Sequence, residues 1–186
     1  MTDTPIRVLH VDDDPEFVET AVEFLERAAD SVTVETATTA ADGLECLRAS
    51  AVDCVVSDYD IADVDGIAFL EAVRAEYPDL PFILYTGKGS EEIASEAISA
   101  GVTDYLQKAG TTDKFRLLAN RIRQAVSRAE AEAALRRNER QYRKMVESSP
   151  VPMVIYARSG EIVFANDAAA DLGGLPDQEA IVGRTV

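Results

Sequence analysis

The chain has 186 residues, 47% of them hydrophobic, and carries 34 acidic against 18 basic side chains for a net charge of −16. This length accommodates one domain of ordinary size plus part of another, and the hydrophobic content argues against disorder. The negative charge repels phosphate backbones, so direct nucleic acid binding is not expected.

Short β-branched runs alternate with longer helical patterns along the first 128 residues. The alternation predicts an α/β fold, with a parallel sheet covered on both faces by helices. Pro15 suits a first helical turn, Gly101 a left-handed helix end, and Thr112 or Asp113 the N-cap of the last helix. The predicted strands are residues 6–11, 32–37, 52–57, 81–85 and 104–107, and the predicted helices are 15–29, 40–48, 66–76, 90–100 and 114–148.

Polar residues follow four of the predicted strands. Asp12 and Asp13 come after the first strand, Asp58 after the third, Thr86 after the fourth and Lys108 after the fifth. Right-handed crossovers bring the carboxyl ends of parallel strands to one edge of the sheet, where ligands bind. We therefore expect these five side chains to lie along one edge.

Their chemistry suits a phosphoryl group. Clustered carboxylates recruit a hard cation such as Mg²⁺, while a lysine and a hydroxyl neutralise and hydrogen-bond phosphate oxygens. An aspartate can act as the nucleophile and form an aspartyl phosphate. Asp58 follows the most apolar strand and is the predicted acceptor; the alternative is a set of merely polar strand ends.

These segments resemble the receiver domains of two-component response regulators over about residues 5–127. The resemblance implies a flavodoxin-like, doubly wound sheet with strand order 2-1-3-4-5. It also implies a role for each of four segments. In chain order these carry the acidic pair, the phosphoacceptor, the switch hydroxyl, and the aromatic switch together with the lysine. The four matching segments are HVDDDP at 10–15, SDYDIADVDG at 57–66, LYTGKG at 84–89 and GVTDYLQKAG at 101–110.

For the metal, the resemblance implies Mg²⁺ held by Asp13, Asp58 and the backbone carbonyl of Asp60, with Asp12 assisting through water. Two positions depart from the family pattern. Ala109 replaces the usual proline after the lysine, which disfavours a cis peptide there. Asp60 adds a carboxylate where apolar or amide side chains are common.

For the function, the resemblance implies that Asp58 accepts phosphate from a histidine kinase or a phosphotransfer protein. Thr86 then moves toward the phosphate and Tyr105 repacks, with Lys108 as the neutralising lysine. The only histidine, His10, lies on a strand, so no kinase phosphodonor domain is expected and the chemistry is limited to self-phosphorylation and self-dephosphorylation.

Two other functions remain open. DYD at residues 58–60 resembles the DxD of haloacid dehalogenase-like phosphatases, which use Mg²⁺ and an aspartate nucleophile. That family places DxD near the first strand, whereas here it follows the third. A receiver that docks without being phosphorylated is the third alternative, and the complete set of site residues argues against it.

The last predicted helix extends past the receiver domain, residues 1–128. Residues 114–148 contain no proline or glycine, and their apolar stripe thins over 130–134 before resuming at Leu135, Tyr142 and Met145. A signalling coiled coil with a phase break, forming a homodimer, is one interpretation; a solvated linker helix is the other.

Residues 149–186 predict a β-hairpin, with strands at 153–157 and 161–165, and a short helix at 167–172. From about residue 138 the chain resembles the beginning of a PAS sensor domain, RQYRKMVESSPVPMVIYARSGEIVFANDAAADLGG. The segment is expected to be an N-terminal PAS fragment without a complete ligand pocket. Asn166 matches a frequent PAS position and also suits a helix N-cap.

The sequence shows no basic leader followed by an apolar run and no apolar stretch of the roughly 18 to 20 residues that a membrane helix needs. Cys46 and Cys54 lack the spacing of a redox or metal motif. These features predict a cytoplasmic protein that does not associate with membranes.

Overall fold

A computed structural model describes residues 5–28, 32–87, 90–108, 113–174, 180 and 182–184. Five parallel strands form one sheet in the order β2-β1-β3-β4-β5, which confirms the predicted fold and strand order. The elements are β1 Ile6–Val11, α1 Pro15–Ala28, β2 Val32–Ala37, α2 Ala40–Ala49, β3 Cys54–Ser57, α3 Gly66–Glu76, β4 Phe82–Thr86, α4 Glu91–Ser99, β5 Asp104–Gln107 and α5 Asp113–Glu147.

Helices cover both faces of this sheet because successive strand residues point to opposite sides. On β3, Val55 belongs to the core under α2, α3 and α4, whereas Val56 belongs to the core under α1 and α5. β1, β3 and β4 are central strands and are almost fully buried. This arrangement places the carboxyl ends of the central strands side by side.

Two strands of this sheet, β3 and β4, have bounds that differ from the prediction. β3 begins at Cys54 rather than at residue 52. Just before it, Asp53 binds Arg7 of β1 twice: its N–H donates to Arg7 O at 2.8 Å, and its carboxylate accepts the Arg7 N–H at 2.8 Å. β4 begins at Phe82 because Pro81 has no N–H to donate, and it extends to Thr86, which pairs with Gln107.

Side chains cap α2, α3 and α4 at their N-termini. Thr39, Asp65 and Ser90 accept backbone N–H groups of α2, α3 and α4 respectively. Gly101 follows α4 with φ +86°, the left-handed conformation expected from the sequence. The proposed cap Thr112 and the Lys108–Ala109 peptide bond lie outside the described residues.

The edge strands β2 and β5 are occupied by charged side chains. Glu35 on β2 accepts a hydrogen bond from Ser50 Oγ at 2.8 Å. Asp104 on β5 lies 3.5 Å from the Arg121 guanidinium of α5. Both edges of the sheet therefore carry charged groups held by neighbouring elements.

The chain forms two compact units, Met1–Glu130 and Ala131–Val186, and α5 runs through the boundary as one helix of 35 residues. Its first half buries Phe115, Leu118 and Ile122 against the sheet. Further along, Leu135, Tyr142 and Met145 are each at least 60% exposed. In the described part of the chain, no helix combines the length and apolarity needed to cross a bilayer.

The second unit contains the predicted hairpin and helix, namely an antiparallel pair of strands, β6 Val154–Tyr156 and β7 Ile162–Ala165, followed by α6 Asp167–Gly173. Asn166 is fully buried and accepts the N–H groups of Ala169 at 3.1 Å and Met153 at 2.9 Å through Oδ1. Its Nδ2 contacts the carbonyls of Val146, Ser149 and Val151 at 2.8 to 3.3 Å. The asparagine is thus an N-cap and also joins the end of α5 to the hairpin.

Candidate functional site

The carboxyl edge of the sheet gathers two aspartates around one lysine. Lys108 Nζ lies 2.6 Å from Asp12 Oδ2 and 2.8 Å from Asp58 Oδ2. Asp12 is fully buried, and the side chains of Asp58 and Lys108 are each 13% exposed. The structure therefore brings together residues that are 96 and 50 positions apart in the sequence, with one oxygen of each carboxylate on the ammonium.

Backbone hydrogen bonds at the strand ends position these side chains. The N–H of Asp58 donates to Val11 O at 2.8 Å, which places the aspartate beside the end of β1. The N–H of Lys108 donates to Thr86 O at 2.7 Å, which places the lysine beside the end of β4. The parallel ladder itself thus sets the spacing of the site.

The loop from Asp58 to Gly66 is tightly folded. Asp58 Oδ1 accepts the N–H of Tyr59 at 2.6 Å, and the N–H of Gly66 donates to Tyr59 O at 2.6 Å. A Cβ on Gly66 would overlap the carbonyl oxygen of Asp58 and would lie 2.9 Å from Leu84 Cδ1. Only a glycine fits where α3 begins against the backbone of Asp58.

The same loop is tied to α2 by Asp63. Its carboxylate accepts the N–H groups of Ala40 at 2.9 Å and Ala41 at 3.2 Å, in the first turn of α2. These hydrogen bonds to the charged form lower the pKa of Asp63. Asp63 thus supplies α2 with a second cap across 23 residues of sequence.

The electrostatics of the site follow from burial and from the lysine charge. Burial raises the pKa of Asp12, although the Lys108 ammonium acts in the opposite direction. Burial, together with the Lys108 charge, lowers the pKa of His10 to about 4, so this ring is neutral near pH 7. Lys108 is therefore the cation that both carboxylates share.

The remaining predicted site residues are Asp13, Asp60, Thr86 and Tyr105. Asp13 and Asp60 are exposed, and Asp60 pairs with Asp65 in an isolated β-bridge. Thr86 is buried at the end of β4, and Tyr105 is half-buried on β5. Among the described residues, no three His, Cys, Asp or Glu side chains converge in a ready-made ion-binding arrangement.

Two contributions were not apparent from the sequence. Asp63 lies within the acidic segment at residues 57–66, and its cap on α2 joins parts of the chain that no local pattern connects. Phe17 has the spacing of an ordinary apolar residue of α1, and its ring centroid lies 4.2 Å from Lys108 Nζ. One feature of the sequence indicates that Phe17 lies near the site. It belongs to the first helical turn after the acidic pair, and that turn faces the same edge of the sheet.

Comparisons with known proteins agree with this geometry. A family model described as response regulator receiver domain matches residues 8–120, and a second model, PAS fold, matches residues 140–186. The transcriptional regulatory protein GlrR of Escherichia coli is 29% identical over 174 residues, covering 94% of this chain and 37% of GlrR. FixJ of Bradyrhizobium diazoefficiens is 34% identical over 91 residues, covering 48% of this chain and 44% of FixJ. The chain thus spans less than half the length of these two relatives.

Solved structures give the same result. A CheY-like receiver domain protein from Methanospirillum hungatei superposes with a TM-score of 0.63 at 27% identity, over 69% of this chain and 99% of that one. The beryllofluoride-activated NtrC4 receiver domain dimer superposes with a TM-score of 0.59 at 28% identity, over 66% of this chain and 98% of that one. The chain therefore belongs to the response regulator receiver domain family and continues into a PAS-fold segment.

Proposed function

We propose that the receiver domain accepts a phosphoryl group on Asp58 from a histidine kinase or phosphotransfer protein. The observation that carries this proposal is the Lys108 ammonium held between Asp12 and Asp58 at 2.6 and 2.8 Å. In the transfer, an Asp58 carboxylate oxygen forms the O–P bond while the P–N bond to the donor histidine breaks. The leaving imidazole retains the electron pair of that bond.

In this reaction Lys108 stabilises charge on the phosphoryl oxygens. Once Asp58 is converted to an acyl phosphate its carboxyl group no longer carries the full negative charge, and the ammonium is free to follow that charge onto the phosphoryl group. The Thr86 hydroxyl is proposed to donate a hydrogen bond to a phosphoryl oxygen, and Tyr105 is proposed to repack in response. The direct hydrogen bond from Lys108 N to Thr86 O supports such coupling, because it joins the two residues through their backbones.

The donor chemistry of the site fits Mg²⁺. The available donors are carboxylate and carbonyl oxygens, which a hard cation prefers, and they belong to Asp12, Asp13, Asp58 and the backbone of Asp60. When bound, Mg²⁺ supplies charge neutralisation for the phosphoryl oxygens. The buried Asp12 carboxylate, already sharing a cation with Asp58, supports a site that requires positive charge.

We further propose that residues 1–128 form the receiver domain, residues 114–148 an extended helix and residues 149–186 a PAS-like fragment. The exposed Leu135, Tyr142 and Met145 on one continuous helix support its pairing with a second copy as a coiled coil. Light scattering at high salt, which screens the net charge of −16, tests this pairing. A monomer at high protein concentration contradicts it.

Intact-mass measurement tests the assignment of the acceptor. Incubation with acetyl phosphate and Mg²⁺ is expected to add about 80 Da to the wild-type chain, the mass of one phosphoryl group. Asp58→Asn is the matched variant, because it keeps the size of the side chain and removes the nucleophile. Equal labelling of this variant refutes Asp58 as acceptor, and steady turnover of many phosphate esters favours a phosphatase instead.

A further inference from the structure

The Lys108 ammonium has a third neighbour besides its two carboxylates. Its Nζ lies 4.2 Å from the ring centroid of Phe17, which projects from the first turn of α1. The face of an aromatic ring carries negative electrostatic potential, and a cation within about 6 Å of the centroid is attracted to it. The lysine side chain is only 13% exposed, so water screens this attraction little.

Phe17 also belongs to a continuous set of rings that reaches α5. We call this set the aromatic cluster: His10 of β1, Phe17 and Phe24 of α1, Tyr85 of β4 and Phe115 of α5. The ring centroids of Phe17 and Phe115 are 5.9 Å apart, and Phe115 is 3% exposed in the first turn of α5. The Phe17 ring is therefore in direct contact with the beginning of the long helix.

A second lysine lies close to the same rings. Lys114 Nζ, in the first turn of α5, lies 5.2 Å from the Phe17 centroid and 5.0 Å from the Phe115 centroid. Two lysine ammonium groups thus lie within cation–π distance of the Phe17 ring, one from the candidate phosphorylation site and one from α5. Withdrawal of Lys108 leaves the ring to Lys114 alone, which changes the interactions of the α5 first turn.

We propose that Phe17 is a positioning residue: its ring holds the Lys108 ammonium in place for phosphoryl transfer and passes the movement of Lys108 to the first turn of α5. This inference rests on the proposed phosphorylation of Asp58. It adds a route from the site to α5 through α1 and Phe115, distinct from the route through Thr86 and Tyr105.

The resting geometry explains why the ring matters for transfer. Asp12 and Asp58 each draw the ammonium toward the sheet edge, and the ring supports it from the α1 side. Without the ring the four-carbon lysine stem has more freedom, and the ammonium spends less time where the phosphoryl oxygens arrive. The expected defect is therefore in the rate of phosphorylation rather than in folding.

The test compares three variants of the full chain. Phe17→Leu removes the ring face and retains apolar bulk, while Phe17→Tyr keeps the ring. Phe24→Leu is the matched control. Phe24 is the other α1 member of the aromatic cluster, and it stacks on Phe115 with ring centroids 5.0 Å apart. The readouts are the labelling rate of Asp58 with acetyl phosphate, by intact mass, and the urea midpoint for stability.

We expect Phe17→Leu to slow labelling by about three- to tenfold, the range of a partly desolvated cation–π contact. Phe17→Tyr is expected to restore the rate to within about twofold of wild type, since the tyrosine ring also attracts cations. Phe24→Leu is expected to lower stability to a similar extent without slowing labelling. Equal labelling rates for Phe17→Leu and Phe24→Leu, or no rescue by tyrosine, overturn the positioning role.

Amide exchange tests the link to α5. Beryllofluoride added to the wild-type chain is expected to change exchange in the first turns of α5, and Phe17→Leu is expected to reduce that change while Phe24→Leu leaves it. An unaltered response in Phe17→Leu overturns the link. Failure of the wild-type chain to label at Asp58 overturns the proposed function as well, whereas normal wild-type labelling with indistinguishable variants overturns the inference alone.

Discussion

Replacing Gly66 by alanine is expected to damage both the fold and the phosphorylation site, because the new Cβ enters occupied space. It would overlap the carbonyl oxygen of Asp58 and lie 2.9 Å from Leu84 Cδ1 and 3.0 Å from Tyr59 Cα. Nonbonded carbon atoms settle at about 3.5 to 4.0 Å, so these carbon contacts alone require a shift of at least about half an ångström. The obstacles include backbone atoms, which cannot rotate away as a side chain does.

The magnitude follows from this geometry. Overpacking a dense core costs about 1 to 3 kcal/mol of unfolding free energy, and the backbone overlap places Gly66→Ala in the upper half of that range. The shift also moves Asp58 relative to Lys108, so acetyl phosphate labelling should slow by about tenfold or more. Urea unfolding and intact-mass kinetics measure the two effects.

Gly87 provides the matched control. A Cβ on Gly87 meets nothing within 4 Å, so Gly87→Ala should change stability by less than about 0.5 kcal/mol. Wild-type stability and labelling in Gly66→Ala would refute the close approach of α3 to the Asp58 backbone. An equal loss in both glycine variants would show that the steric argument is not the cause.

Three further outcomes follow. Lys108→Met leaves two carboxylates facing each other without a cation and should lower the free energy of unfolding by about 1 to 3 kcal/mol. This is less than the loss expected when one partner of a fully buried ion pair is removed. An unchanged urea midpoint would contradict the shared-cation geometry. Asn166→Asp replaces the amide group that donates to three carbonyls by an oxygen, which should lower the free energy of unfolding of the second unit by about 2 kcal/mol or more. Amide exchange should become faster in the second unit and stay unchanged in the five-stranded sheet. Wild-type protection in the second unit would contradict the joining role of Asn166. Burial raises the pKa of both Cys46 and Cys54. A thiol reagent at pH 7 should therefore label the folded protein more slowly than the urea-unfolded chain, and labelling of the folded protein should become faster as the pH rises. Rapid labelling of Cys54, which is fully buried, would contradict its position.

The sheet and its candidate site could be predicted because both follow from short-range patterns and one topological rule. Alternating strands and helices indicate a parallel sheet, and parallel crossovers collect strand ends at one edge. Asp12, Asp58 and Lys108 therefore meet in the structure as expected, although no local pattern links them. The roles of these residues remain predictions that the labelling experiments test.

Long-range contacts made by individual side chains could not be predicted in this way. Asp63 reaches back to α2 because the β3–α3 loop folds over that helix end, and loop paths are not encoded in periodicity. Phe17 fits the apolar stripe of α1 equally well whether or not a lysine lies over its ring. The five contacts of Asn166 depend on how α5 and the hairpin meet, whereas the sequence indicates only a helix cap.

The charged edges of the sheet affect how copies of this chain can associate. An edge strand invites another strand when its backbone groups are accessible along a long, flat, apolar surface. Here β5 has four residues and carries Asp104, which faces Arg121 of α5, while β2 carries Glu35. Pairing of either edge with an identical edge would bring these charged groups close together. Extension of the five-stranded sheet from one molecule to the next is thereby disfavoured.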